Sequence, residues 1–215
     1  MKRIKHIKFI IPLVIALFFS SNNANAQFWE IANQIPSLIE PALSGRANYK
    51  GYAEVSYLKG LGSDRVDFLD ISTPQGFKIN SWFFFGVGAG VDVMFPSFES
   101  RYHYKQDAGI MVPLYSDFRF FIGKMDKISV NIDLRLGVSF NMNDEFQTNN
   151  GEIVGEEGFY LKPSLAIRIP VSKKNPKLAV NVGVSYQLTT ADWSGNYYDN
   201  DKAFNNIGAT LGFEW

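Results

Sequence analysis

The chain has 215 residues, no cysteine, and 21 basic against 21 acidic residues. Without cysteine there is no disulfide framework and no thiolate chemistry. The balanced charge excludes the strong basic field of a nucleic-acid-binding protein, so no nucleic-acid partner is expected.

Residues 1–26 read as a cleavable export signal. "MKRIKHIK" carries four Lys/Arg, "FIIPLVIALFF" is a short apolar run, and small residues follow up to Ala24-x-Ala26. The apolar run is shorter than the ~20 residues of a spanning helix. No cysteine follows to carry a lipid anchor. Cleavage after Ala26 leaves 189 residues with 17 basic and 21 acidic side chains, the size of one domain. In residues 27–48, Phe28, Trp29, Ile31, Ile35, Leu38, Ile39 and Leu43 fall near helical spacing, broken at Pro36 and Pro41. That stretch reads as a short, kinked amphipathic segment on the periplasmic side or as a linker, because proline weakens a helix.

From residue 49 the period is two. "YKGYAEVSY" sets Tyr49, Gly51, Ala53, Val55 and Tyr57 on one face. "RVDFLDIST" is irregular, and a phase change near Phe68–Leu69 suggests a bulge. "FFFGVGAGVDVMF" aligns Phe83, Phe85, Val87, Ala89, Val91, Val93 and Phe95; "VPLYSDFRFFI" aligns Val112, Leu114, Ser116, Phe118, Phe120 and Ile122. The clearest strand is "ISVNIDLRLGVSF", with Ile128, Val130, Ile132, Leu134, Leu136, Val138 and Phe140 on one face. "FYLKPSLAIRI", "LAVNVGVSYQL" and 206–215 complete eight strands. Links after strands two, four and six are short (around 78–81, 123–127, 171–176). Those after three, five and seven are long: 96–110, 141–157 and 190–204. Outer-membrane barrels have short periplasmic turns and long external loops. The first external link, "KGLGSDR", is short and fits less well.

The second face decides which way the strands look. A soluble barrel would show Lys and Glu there, with its apolar face inward. Here it carries Gly86, Gly88, Gly90, Gly137, Gly183, Gly208 and Gly212, with sparse charges: Glu54, Asp92, Asp117, Asp133 and Glu214 against Lys50, Arg119, Arg135, Lys162 and Arg168. Five against five suits an interior filled by ion pairs, since an unpaired buried charge is very costly. The aromatics Tyr49, Tyr57, Phe83, Phe95, Phe140, Phe159, Tyr186 and Phe213 suit interfacial girdles on an outward apolar face. The expectation is an all-β, eight-stranded antiparallel up-and-down transmembrane β-barrel over 49–215. Its interior is a polar plug with no wide pore, because eight strands leave room only for side chains.

These features resemble the small outer-membrane β-barrel proteins of the OmpA-barrel and OmpX kind. The stretches "QGFKINSWFFFGVGAGVDVMF" (75–95), "GFYLKPSLAIRIPVSKK" (158–174) and "NIGATLGFEW" (206–215) carry the likeness. The resemblance implies the outer membrane of a Gram-negative bacterium, surrounding lipid and lipopolysaccharide, and a C-terminal aromatic strand read by the barrel-assembly machinery, with Phe213 and Trp215 in that position. With the sequence ending at Trp215, no peptidoglycan-binding domain is expected to follow.

Residue supply argues against chemistry. After signal cleavage His103 is the single histidine, near Glu99 and Ser100 in a loop rather than on rigid strands. The acidic loop residues Asp144, Glu145, Glu152, Glu156 and Glu157, and "DNDK" (199–202), lack the spacing of a known calcium loop. Gly86-x-Gly88-x-Gly90 is followed by no helix, so it is no nucleotide loop. No catalytic, cofactor or metal residue is expected. The expected role is non-enzymatic, structural or surface-interacting, carried by loops 96–110, 141–157 and 190–204. The last of these is rich in Asn, Asp, Tyr and Trp suited to an external partner. The alternatives are a lipid- or peptide-modifying enzyme, a narrow channel, or a soluble binding barrel.

Overall fold

The computed structural model describes residues 48–62, 66–96, 108–142, 146–148, 151–153, 157–172, 177–191, 193–195, 198–199 and 202–215. The chain divides into two units, Met1–Arg46 and Ala47–Trp215, and the described residues belong to the second. The expected signal at 1–26, nearly all of the 27–48 segment, and Glu99, Ser100, His103, Asp144, Glu145 and Glu156 lie outside the described residues.

The strands are β1 (Asn48–Leu61), β2 (Val66–Lys78), β3 (Phe83–Pro96), β4 (Gly109–Ile122), β5 (Ser129–Asn141), β6 (Phe146–Thr148), β7 (Gly151–Ile153), β8 (Glu157–Pro170), β9 (Ala179–Ala191), β10 (Trp193–Gly195), β11 (Tyr198–Asp199) and β12 (Lys202–Glu214). Eight of them close a barrel in the order β1-β12-β9-β8-β5-β4-β3-β2, with every described pairing antiparallel. β12 returns to β1 from Tyr52↔Glu214 to Leu61↔Asn205, as the even strand count requires. Beyond it, Gly51 and Trp215 exchange both backbone hydrogen bonds, at 3.1 and 3.0 Å. Two turns at the chain-terminus end are tight. Asn80 Oδ1 accepts from the backbone N–H of Trp82 (3.0 Å) and Phe83 (2.8 Å), and Gly123 takes φ 113°, a left-handed value that favours glycine.

Two expectations are corrected. β2 has no phase change: its pairing with β3 runs unbroken from Val66↔Pro96 to Lys78↔Phe84. The sequence looks irregular because the barrel interior turns apolar at the loop end. Val66 and Phe68 point inward there with Leu58, Met94, Met111 and Phe204. The long links at 141–157 and 190–204 are also more than loops. They carry β6, β7, β10 and β11, which pair as a second, four-stranded sheet in the order β11-β10-β7-β6. Trp193↔Ile153 and Ser194↔Glu152 join the two links.

Prolines in the barrel wall locally interrupt the ladder, and one break is repaired by side chains. Pro74 lies opposite Tyr52 and has no N–H to give its carbonyl, so the β1–β2 pairing skips that pair. Thr73 Oγ1 donates to the Tyr52 carbonyl instead (3.0 Å), Gln75 Nε2 donates to Thr73 Oγ1 (2.8 Å), and Tyr49 Oη donates to Gln75. An unmet backbone carbonyl away from water is costly, and the hydroxyl takes over the role of the missing N–H.

Candidate functional site

The candidate site is the barrel interior. Period-two alternation turns one row of each strand inward, and those rows hold the charges. Lys50, Glu54, Asp92, Asp117, Arg119, Asp133, Arg135, Lys162, Arg168 and Glu214 are all buried there. Asp70, hidden in the strand that looked irregular, is buried with them, so the interior holds six carboxylates against five bases rather than five against five. Only its position in the β2 alternation, counted back from Ser72 and Gly76, marks it in the sequence.

The charges form three sets along the barrel axis. At the chain-terminus end Lys50 and Arg168 both bond Glu214, with Arg168 Nε 2.8 Å from Glu214 Oε2. In the middle, Arg119 donates through Nε and Nη2 to Asp117 and through Nη1 to Glu54 (2.7 Å), with Asp133 at 3.4 Å. Its guanidinium lies 3.7 Å from the centre of the Tyr52 ring. Arg135 pairs with Glu54 and Asp133, and donates to Ser72 Oγ (3.0 Å). Towards the loops, Lys162 Nζ donates to Asp70 Oδ1 (2.5 Å) and Ser56 Oγ (3.0 Å). Neutral bridges fill the rest of the wall: Asn131 to Asn181 (2.8 Å), and Ser164 with Ser185 (2.8 Å).

Glycine makes room for these groups. A Cβ at Gly88 would lie 2.5 Å from the Tyr115 ring, and one at Gly212 would lie 2.9 Å from Glu54 Cγ. Tyr115 then stacks on Tyr160 across the interior, ring centres 5.6 Å apart. The apolar cluster around Phe68 and Phe204 fills the loop end, and Tyr52, Phe84 and Phe121 pack together nearer the termini. A cavity of about 10 Å³, room for a single water, lies beside Asn131, Asp133, Asn181 and Thr210. Among the described residues no group of three or more His, Cys, Asp or Glu is arranged to hold a metal ion.

The outer face is the reverse. Every barrel strand exposes large apolar side chains, from Val87 on β3 (42%) and Ile132 on β5 (43%) to Val184 on β9 (57%) and Leu211 on β12 (58%). A continuous apolar belt around a core of fully buried charges inverts the layout of a soluble protein and matches lipid as the surrounding solvent. Among the described residues no helix is long and apolar enough to cross a membrane.

Neisserial surface protein A has this architecture: its crystal structure matches with a TM-score of 0.57 at 12% identity, over 78% of this chain and 97% of that one. The fold is that of a small eight-stranded outer-membrane β-barrel. More distant matches to the barrel are the outer membrane enzyme PagL, with a TM-score of 0.46 at 10% identity over 76% of this chain and 97% of that one, and the N-terminal β-barrel domain of Pseudomonas aeruginosa OprF, at 0.43 and 10% over 79% and 99%. No family model and no curated protein sequence matches the barrel. Within the barrel, Phe213 and Trp215 sit on the outer face at the end of β12, their rings stacked at 6.3 Å.

Proposed function

We propose that the protein is a non-enzymatic integral barrel of a Gram-negative outer membrane, exported through a signal cleaved near Ala26. Its structural or surface-interaction role is carried by loops 96–110, 141–157 and 190–204. The observation that carries this reading is the second sheet: β6, β7, β10 and β11 tie two of those loops together outside the barrel wall. The interior argues in the same direction. Most of its charged groups pair with one another, and among the described residues side chains fill the space between the strands.

In this reading the apolar belt contacts outer-membrane lipid and lipopolysaccharide, and the terminal Phe213-x-Trp215 is the signal taken up by the barrel-assembly machinery. An external partner meets the paired loops. The test is fractionation with heat-modifiable migration, followed by planar-bilayer recording and loop deletion. Expected are recovery in the outer-membrane fraction, faster migration of the unheated form, and no conductance steps. Deletion within 141–157 or 190–204 is expected to abolish surface binding while leaving the barrel folded. Recovery in an aqueous fraction, or steady conductance steps, overturns the reading. Loss of a lipid- or peptide-modifying activity on His103→Ala would replace it with an enzymatic one.

A further inference from the structure

The three charged sets differ in balance. At the terminus end Lys50 and Arg168, with Lys78 beside them, meet Glu214, and in the middle Arg119 and Arg135 meet Glu54, Asp117 and Asp133. The loop-end set has Lys162 alone against Asp70 and Asp92. Asp70 and Asp92 lie directly opposite each other on β2 and β3, and both are wholly buried. No ion pair of Asp92 is found among the described residues; its Oδ2 accepts from Gln187 Nε2 at 2.7 Å. Asp70 Oδ1 takes the Lys162 ammonium and the Ser72 hydroxyl (3.1 Å). The other two oxygens, Asp70 Oδ2 and Asp92 Oδ1, are buried with no donor.

Among the described residues, Lys162 and Arg135 are the positive charges near the pair. β1 contributes Ser56, β4 Tyr115 and Asp117, β5 Arg135, β8 Tyr160 and Lys162, and β9 Gln187. Arg135 is already held by Glu54 and Asp133. Two facing carboxylates with one unmet oxygen each lack a single hydrogen, and adding it also leaves one negative charge to match the one on Lys162.

We propose that Asp70 and Asp92 form a proton-binding site, with one hydrogen held between Asp70 Oδ2 and Asp92 Oδ1. Like charges on directly facing, wholly buried residues are costly to hold together, and the proton removes one of them.

The test uses the full barrel refolded in detergent micelles. Urea unfolding of wild type and Asp92→Asn is measured from about pH 5 to about pH 9, above the range where an unfolded aspartate gives up its proton. Folded wild type holds one proton that the unfolded chain lacks, so its unfolding constant rises about tenfold per pH unit relative to that of Asp92→Asn. The asparagine amide needs no proton to donate to Asp70. Infrared spectra of folded wild type at neutral pH should show the C=O stretch of a protonated carboxyl, absent from Asp92→Asn. This second readout stands even if the variant folds poorly. Parallel pH curves together with no such band overturn the proposal. Stability that depends on whether sodium, potassium or calcium is present at fixed ionic strength also overturns it, assigning the place to a metal cation.

Discussion

Arg119→Met tests the claim that the middle of the barrel is held by ion pairs. The substitution keeps a long apolar side chain but removes the guanidinium that meets Asp117, Glu54 and Asp133. Three buried carboxylates are then left to Arg135 alone, and breaking a buried pair in this way costs about 3–5 kcal/mol. The same change removes the guanidinium from the Tyr52 ring, a contact worth about 2 kcal/mol when desolvated, which overlaps the first figure rather than adding to it. Against a typical total of about 5–15 kcal/mol, the loss takes roughly a fifth or more of the stability. Urea unfolding in micelles, followed by tryptophan fluorescence and by heat-modifiable migration, reads it directly. Arg119→Lys should fall between wild type and Arg119→Met, because one ammonium cannot reproduce the forked bonds to Asp117 and the reach to Glu54. Adding Asp117→Asn to Arg119→Met should return about 1–3 kcal/mol by removing an uncompensated charge. A loss below about 1 kcal/mol for Arg119→Met, the range of solvent-exposed pairs, would mean that water reaches these groups and would refute the filled interior.

Thr73→Val should cost about 1–3 kcal/mol in the same unfolding assay, since the Tyr52 carbonyl opposite Pro74 loses its donor within the membrane. Gly88→Val should cost about 1–3 kcal/mol, because the added atoms meet the Tyr115 ring; Gly88→Val combined with Tyr115→Ala should be milder than Gly88→Val alone, and equal losses would show that the ring does not fill that space. Trp215→Ser, or residues appended after Trp215, should lower the yield of assembled barrel in the outer-membrane fraction; an unchanged yield would remove the terminal strand from the assembly role proposed for it.

The architecture was legible because alternation repeats in strand after strand and the link lengths alternate with it. "ISVNIDLRLGVSF" alone fixes which residues share a face, and Ile132 outside with Asp133 inside follows from the period. The reading failed where the polarity code itself changes. At the loop end the inward row of β2 turns apolar while the outward row carries Asp67, so Val66 and Phe68 disguised the phase and concealed Asp70. Partnership across the interior was not legible either. Arg119 meets Glu54 from 65 positions away, a distance fixed by strand stagger and not by any local spacing. The short strands of the second sheet, two or three residues each, fall below the length at which alternation can be recognised.

The seam between β1 and β12 differs from the other seven in what it asks of the unfolded chain. Asp117 and Arg135 are close along the sequence, as hairpin partners are, whereas Tyr52 and Glu214 come from opposite ends of the barrel. Bringing the latter together encloses about nine times as much chain and costs about 2 kcal/mol more in loop entropy than a hairpin does. Local hairpins can therefore zip early, while closure waits until the final strand is available. The mutual hydrogen bonds of Gly51 and Trp215 are the last bolts of the ring. A permuted chain that begins at β3 and ends at β2, with a short linker between the original ends, would move that slow step to a different seam while leaving every wall contact in place.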